Sequence, residues 1–379
     1  MNPWIERHAE QIAARAEREL EALVAVSTPS GDARAAEEAI AIAVALAPEA
    51  ARAHRIPCSS PEHAPDLVLS VTGTGTRRIL LLGHLDTVIA HPDHRNVIVK
   101  GDRLVGSGTV DMKGGDVLAL GVLRALAADR TAEFAEVALL LVNDEEWRTD
   151  AFAHGERFAG FDACLCFEAG ELSPDGDDAV VVRRKAAGAV VVDAHGRSAH
   201  SGAAPDQGRN ALLALAAVVQ RIAAAHDPAG PDRLTAVPTI IRAGEALNVV
   251  PGSGQLTADL RADRLEAIEA VLATLPAEID EVRLEARMGR RWPGMDAREA
   301  TESLLAAAGA ALGRPVIAAQ RGGASDASHF AAAGIALTVD GLGPRGGGAH
   351  APHEFVDRRS LRPRAEVALA LADAVLNLP

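Results

Sequence analysis

Apolar residues recur at helical spacing from about residue 3 to 26, and the turn Ser27–Asp32 that follows caps a second helix over 33–47. The pattern then shortens. Asp66–Val71, Arg77–Leu82, Glu136–Val142 and Asp162–Phe167 are apolar runs of strand length. A strand pair is read around Val97–Val105, and a long helix over 113–129 separates the second run from the third. Strands alternating with helices predict a parallel sheet with helices on both faces.

A polar, turn-rich seam at Gly170–Asp178 ends this pattern. Val180–Ala194 then alternates as a strand. A helix over 209–225, strands at 234–243 and 255–262 and a helix over 263–274 complete an α+β unit that closes near Gly289–Gly294. The earlier pattern resumes with helices at 299–312 and 325–333, a strand at 335–339, a Gly-rich loop at 341–348 and a last helix at 361–376. The expected fold class is α/β: a mostly parallel-sheet domain, 1–180 and 293–379, interrupted by an inserted α+β domain, 181–292. A length of 379 residues suits two cores better than one.

Composition narrows the partners. Hydrophobic residues make up 48% but aromatics only 3%, with no Tyr, so Ala, Val and Leu must pack the cores. The formal net charge is −14 and no basic tract offsets it. Nucleic acid and anionic membranes are therefore not expected as partners. The three cysteines, Cys58, Cys164 and Cys166, suit a reducing compartment. The N-terminal stretch lacks the apolar core of a signal peptide, and no run approaches the roughly 18 apolar residues of a spanning helix. A soluble, cytoplasmic protein is expected.

The chemistry gathers at strand ends. His84 and Asp86 follow Arg77–Leu82, Glu145 and Glu146 follow Glu136–Val142, and Glu168 follows Asp162–Phe167. Asp111 sits just ahead of the helix over 113–129, and His350 follows a glycine run. Ligands of open parallel sheets gather outside the carboxyl ends of the strands, so these groups can converge. Several carboxylates in one crevice repel unless a cation holds them. Histidines with carboxylates suit zinc, with cobalt or manganese as alternatives. In the doublet, one carboxylate can bind metal while its neighbour stays free as a base.

Each feature alone has a blander reading. A His-x-Asp pair is commonly a capped turn, and an acidic doublet at a strand end is commonly solvated. His63, His91 and His94 read as solvated loop residues. Cys164 and Cys166 read as core, and His353 and Glu354 as loop. Ser198, Ser201 and Ser325 do not form a nucleophile elbow. Arg242 and Arg261 read equally as surface charges or as carboxylate-recognition groups.

The order of motifs decides between these readings. GHLDTV, GSGTVDMKGG, NDEE, FEAG, GRSAHSGAAPDQGRNA, GEALNVVP and GGGAHAPHEFV occur in sequence over almost the whole chain. Together they resemble the dizinc metallopeptidase family of glutamate carboxypeptidases, acetylornithine and succinyl-diaminopimelate deacylases, and aminoacylases. The resemblance implies that Asp111 bridges two divalent ions, with His84 and Glu168 on one and Glu146 and His350 on the other. It makes Glu145 the general base for hydroxide attack on an amide, and Asp86 the group that orients His84. The peptide after the bridging Asp, Asp111–Met112, is often cis in the family. His200 would stabilise the oxyanion, commonly in the partner's site, with Asn248 assisting. The inserted domain would be a lid and homodimer interface. GRSAHSGAAPDQGRNA is most similar to the glutamate carboxypeptidase branch, which implies a short-peptide or N-acyl substrate, release of C-terminal glutamate and a grip by Arg261 or Arg242. Deacetylation of the N-acetylornithine type is the alternative, followed by dipeptidase or aminoacylase activity. A non-catalytic metal-binding scaffold would require loss of a ligand or of the base, and none is missing. Two positions depart from the family: Trp147–Arg148–Thr149 replaces a small Gly/Ser pair, and Ala169 stands where Pro is frequent.

Overall fold

The structure, a computed structural model, describes residues 1–148 and 150–378, so Thr149 of the first departure lies outside them. Two units divide the chain. The first comprises Met1–Arg183, Asp296–Arg321 and Ser325–Pro379, and the second Arg184–Met295 with Gly322–Ala324.

The strand Arg77–His84 lies inside the first unit's sheet, and Ile79 to Leu82 are almost wholly buried. A strand covered on both faces must be apolar at every position rather than at alternate ones. The sheet has six strands in the order Arg52–Ile56, Asp66–Thr72, Phe134–Val142, Arg77–His84, Ala163–Cys166, Leu337–Val339. The last four are mutually parallel, whereas the first two pair antiparallel. Ile79 and Leu81 join a core shared with the helices Pro3–Val24, Gly114–Asp129 and Leu361–Leu376. The short helix Ala327–Ala332 covers the other face beside Ala163–Cys166 and Leu337–Val339.

Local chemistry sets these helices. The Asn2 side chain accepts from the Trp4 N–H at 2.9 Å, and Pro3 stands at the first helical position, where its missing N–H costs nothing. Ile5, Ala9, Ile12, Ala16, Leu20 and Leu23 then recur every three or four residues as the buried stripe. The helix Gly114–Asp129 begins where a side chain cannot fit: a Cβ on Gly115 would lie 1.9 Å from the Phe167 carbonyl oxygen. That contact sets the helix against the strand end that precedes Glu168.

The second unit is an antiparallel sheet in the order Thr235–Ala243, Ser253–Ala262, Ala186–His195, Val282–Trp292, Glu278–Ile279. The helices Ala211–Ala224 and Leu265–Ala273 pack on one face, closing a core of Val190, Val192, Leu215, Val218, Leu256 and Ile268.

Two readings are corrected. The alternation over Val180–Ala194 is two strands, not one. Asp178–Arg184 and Ala186–His195 break at Lys185 and lie in different sheets. The stretch before the expected close near Gly289–Gly294 also holds a strand that the sequence reading leaves out. The eleven-residue strand Val282–Trp292 runs through it, its outward positions rich in Arg and Glu. Among the described residues, no helix is long and apolar enough to cross a membrane.

Candidate metal centre

Three neighbouring parallel strands end at one edge of the first unit's sheet, and each delivers a functional side chain there. His84 is the last residue of its strand, Glu145 and Glu146 follow Phe134–Val142 within four residues, and Glu168 follows Ala163–Cys166 within two. Asp111 enters from the turn Thr109–Lys113, whose Asp111–Met112 peptide is cis. His350 sits between the short paired strands Gly346–Gly347 and Phe355–Asp357, with a left-handed φ of 64°.

These residues form two groups. Ligand atoms of His84, Asp111 and Glu168 all lie within 4.8 Å of one another, as do those of Asp111, Glu146 and His350. Asp111 belongs to both. Its Oδ1 lies 3.2 Å from His84 Nε2, and its Oδ2 lies 3.1 Å from His350 Nε2. Glu168 Oε1 is 3.8 Å from His84 Nε2, and Glu146 Oε1 is 3.1 Å from His350 Nε2.

Supporting groups hold these atoms. His84 Nδ1 faces the Asp86 backbone carbonyl at 3.0 Å, an arrangement that puts the proton on Nδ1 and leaves Nε2 as a donor to a metal. The Asp86 carboxylate accepts from the N–H groups of Glu145 and Glu146 at 3.2 and 3.1 Å. Glu354 accepts from the N–H groups of Gly108, Val110 and Asp111 at 2.9, 2.8 and 3.0 Å and so fixes the Asp111 turn. Lys113, fully buried, donates to the carbonyls of Leu23 and Val26 and ties the same turn to the end of the helix Pro3–Val24.

The electrostatics are those of crowded carboxylates. Burial pushes Glu145 up to about 8 and Asp116 to about 8. Glu168 is raised well above the carboxylate range by burial and by the Asp111 charge. Burial alone would lower His84, but Asp111, Asp86 and Glu168 reverse this and hold it well above its ordinary value. His350 is lifted to about 10 by its bonds to Asp111 and Glu146. The set therefore gathers protons wherever no other cation balances it. Two imidazoles and three convergent carboxylates, one shared, are donors that suit a pair of divalent ions.

Of the other residues singled out by the sequence, His200, Asn248, Arg242 and Arg261 lie in the second unit. His200 is exposed, and its Nδ1 accepts from the N–H groups of Gly202 and Ala203 at 3.2 and 3.1 Å, which leaves the ring proton on Nε2. The Asn248 carbonyl accepts from the Ser201 N–H at 2.9 Å, beside the bridge between His200 and Val249. Arg242 lines a groove of 650 Å³ with Asp193, His195 and Ser198. Arg261 is paired to Asp259 at 3.0 Å along its own strand. His63 and His94 face the backbone carbonyls of Asn143 and Val24, His91 contacts Asp32, and Cys164 and Cys166 are buried free thiols. Sequence reasoning reads Glu354 only as a loop residue and misses its hold on three backbone N–H groups. It also passes over the pairing of Arg148 with Asp144 and Asp326, at 2.9 and 2.5 Å.

A family model described as peptidase family M20/M25/M40 matches residues 80–374. Carboxypeptidase G2 from Pseudomonas sp. (strain RS-16) is 29% identical over 328 residues, covering 81% of this chain and 76% of that protein. Among solved structures, aminopeptidase PepT from Bacillus cereus superposes with a TM-score of 0.75 at 20% identity, over 96% of this chain and 98% of its own. Human carnosine dipeptidase 1 does so with a TM-score of 0.71 at 14% identity, over 100% of both chains. At these identities the structural matches show a shared fold.

Proposed function

The chain belongs to peptidase family M20/M25/M40 and is a metal-dependent hydrolase, and from that premise we propose that it cleaves an amide to release an amino acid bearing a free carboxylate, with C-terminal glutamate first. The observation that carries this reading is the pair of ligand groups meeting on one carboxylate, Asp111. The likeness to carboxypeptidase G2 and the GRSAHSGAAPDQGRNA stretch support the substrate class.

His84 and Glu168 would hold one ion, Glu146 and His350 the other, and Asp111 both. Two divalent ions, zinc first by the donor set, supply Lewis acidity toward the carbonyl and acidify water. The protein's own groups do the rest. Glu145 belongs to neither ligand group, so it can take a proton from the attacking water and return it to the leaving amine. Asp86 keeps Glu145 and Glu146 in register through their two N–H groups. The Nε2–H of His200 can donate to the oxyanion. Arg261, Arg242 and Asn248 are candidates for the substrate carboxylate.

A homodimer through the second unit is part of the proposal. Among the described residues, the edge strand Thr235–Ala243 is paired on one side only, and it carries exposed Val237, Ile240 and Ile241. The helix packed on it exposes Leu212 and Leu213. Large apolar groups beside an unpaired strand edge mark an interface. The free thiols suit a cytoplasmic location.

The test is one hydrolysis panel on metal-stripped protein, repeated after zinc or cobalt is restored. The panel holds N-acyl-glutamate, N-acetylornithine, succinyl-diaminopimelate and a simple dipeptide, with Glu145→Gln as control. Metal-restored release of glutamate, absent in the control, is the expected result. Metal-dependent cleavage of another member alone would retain the mechanism and overturn the substrate. Two bound metals with no cleavage of any member would count against hydrolysis of this class.

A further inference from the structure

Glu145 and Glu146 sit in a turn that leaves the sheet at Val142 and must be held from both ends. Asp86 grips its middle through two N–H groups. At its start, Asp144 accepts from the N–H and hydroxyl of Ser60 at 2.9 and 2.8 Å. At its far end is Arg148, two residues beyond Glu146, with only 1% of its side chain exposed.

The Arg148 guanidinium is engaged on two sides. Nε and Nη2 donate to Asp144 Oδ1 at 3.2 and 2.9 Å. Nη1 and Nη2 donate to the two oxygens of Asp326 at 2.5 and 2.7 Å. Both carboxylates are buried. Asp326 immediately precedes the helix Ala327–Ala332, which packs on the strands Ala163–Cys166 and Leu337–Val339. Asp326 therefore links the turn to a rigid part of the sheet. A planar fork of fixed N–H directions can do this, whereas a point charge on a flexible stem cannot. The residue between, Trp147, is turned outward and is 64% exposed.

We infer that Arg148 is a positioning residue of the metal centre: its clamp between Asp144 and Asp326 fixes the turn that aims Glu146 at Asp111 and His350 and keeps Glu145 out of both ligand groups. The inference rests on the reading of Glu146 as ligand and Glu145 as base. It assigns a purpose to the arginine at a position where the motif pattern leads one to expect a small residue. It also gives a reason for burying the three charges of Asp144, Arg148 and Asp326 together.

Two variants test it. Arg148→Lys keeps the charge and loses the fork. Arg148→Met with Asp326→Asn removes the arginine and one of its two carboxylates, so the net charge of the cluster is unchanged and Asp144 keeps its two bonds from Ser60. Metal-stripped proteins are titrated with cobalt, the visible spectrum is recorded, and kcat and KM are measured on the substrate cleaved fastest in the panel above. In each variant with native circular dichroism, kcat should fall about 10- to 100-fold with KM within about 3-fold, as for a small misplacement of reacting groups. The cobalt spectrum should shift, and the weaker of the two bound ions should be lost at a chelator concentration the wild type withstands. A folded variant with wild-type kcat and wild-type cobalt spectrum overturns the inference. If the double variant does not fold, Arg148→Lys alone decides by the same readouts. A wild-type protein that takes up no cobalt overturns the underlying reading, and this one with it.

Discussion

Replacing Glu354 by Gln should weaken both ion sites together, although Glu354 is not among the proposed ligands. Its Oε1 holds the N–H groups of Val110 and Asp111, and its Oε2 holds that of Gly108. A glutamine oriented to best effect keeps its oxygen on Val110 and Asp111 and turns its NH₂ toward the Gly108 donor. One charge-assisted bond is lost and one buried N–H is orphaned, a cost of about 2 kcal/mol. Because the Asp111 backbone is one of the three partners, the Asp111 carboxylate shifts, and it is shared by both groups. Zinc affinity, read by competition with a chelator, should drop for both ions, and the urea midpoint should move down. Loss of negative charge could mimic the first effect, so Glu354→Asp is the control. It keeps the charge but is one methylene short, and it should share the defect. Unchanged stability with both zinc affinities intact in Glu354→Gln would refute the reasoning, as would full recovery in Glu354→Asp.

Gly115→Ala should destabilise the first unit by about 1–3 kcal/mol in chemical unfolding despite alanine's better helix propensity, because its Cβ would meet the Phe167 carbonyl at 1.9 Å. A neutral or stabilising effect would mean that this contact is relieved at no cost. Burial lowers His329 to about 4, against an unfolded value near 6.5. Between those values the unfolded chain binds more protons, so stability should fall as pH falls. At pH 5 the loss is about 2 kcal/mol, from roughly 1.5 pH units at 1.36 kcal/mol each. His329→Gln should remove that part of the slope between pH 7 and 5 in urea titrations, and parallel curves would contradict it. Ile240→Lys with Ile241→Lys places charges at the exposed edge strand and should convert a dimer to a monomer in sedimentation equilibrium without loss of helix signal. An unchanged dimer mass would move the interface elsewhere.

Much of this architecture could be read from the chain because the physics is local. Fully buried parallel strands must be apolar throughout, so Arg77–His84 and Phe134–Val142 stand out. His84, Glu145, Glu146 and Glu168 stand at strand ends, where a parallel sheet gathers them. Edge and surface strands were harder. Arg52–Ile56 has one buried residue in five, and Val282–Trp292 hides its inward positions among arginines. The break at Lys185 was invisible because alternation continues through it while the chain changes sheets. Long-range polar contacts leave no local mark at all. Arg148 and Asp326 are 178 positions apart, and Glu354 binds backbone N–H groups, which every sequence has.

The account's central claim is that one carboxylate serves two ion sites, and a zinc titration of stripped protein against a competing chelator tests it most directly. Wild type should bind two ions per chain, His84→Ala and His350→Ala one each, and Asp111→Asn should lose high affinity at both. An Asp111→Asn protein that still binds two ions tightly would contradict it.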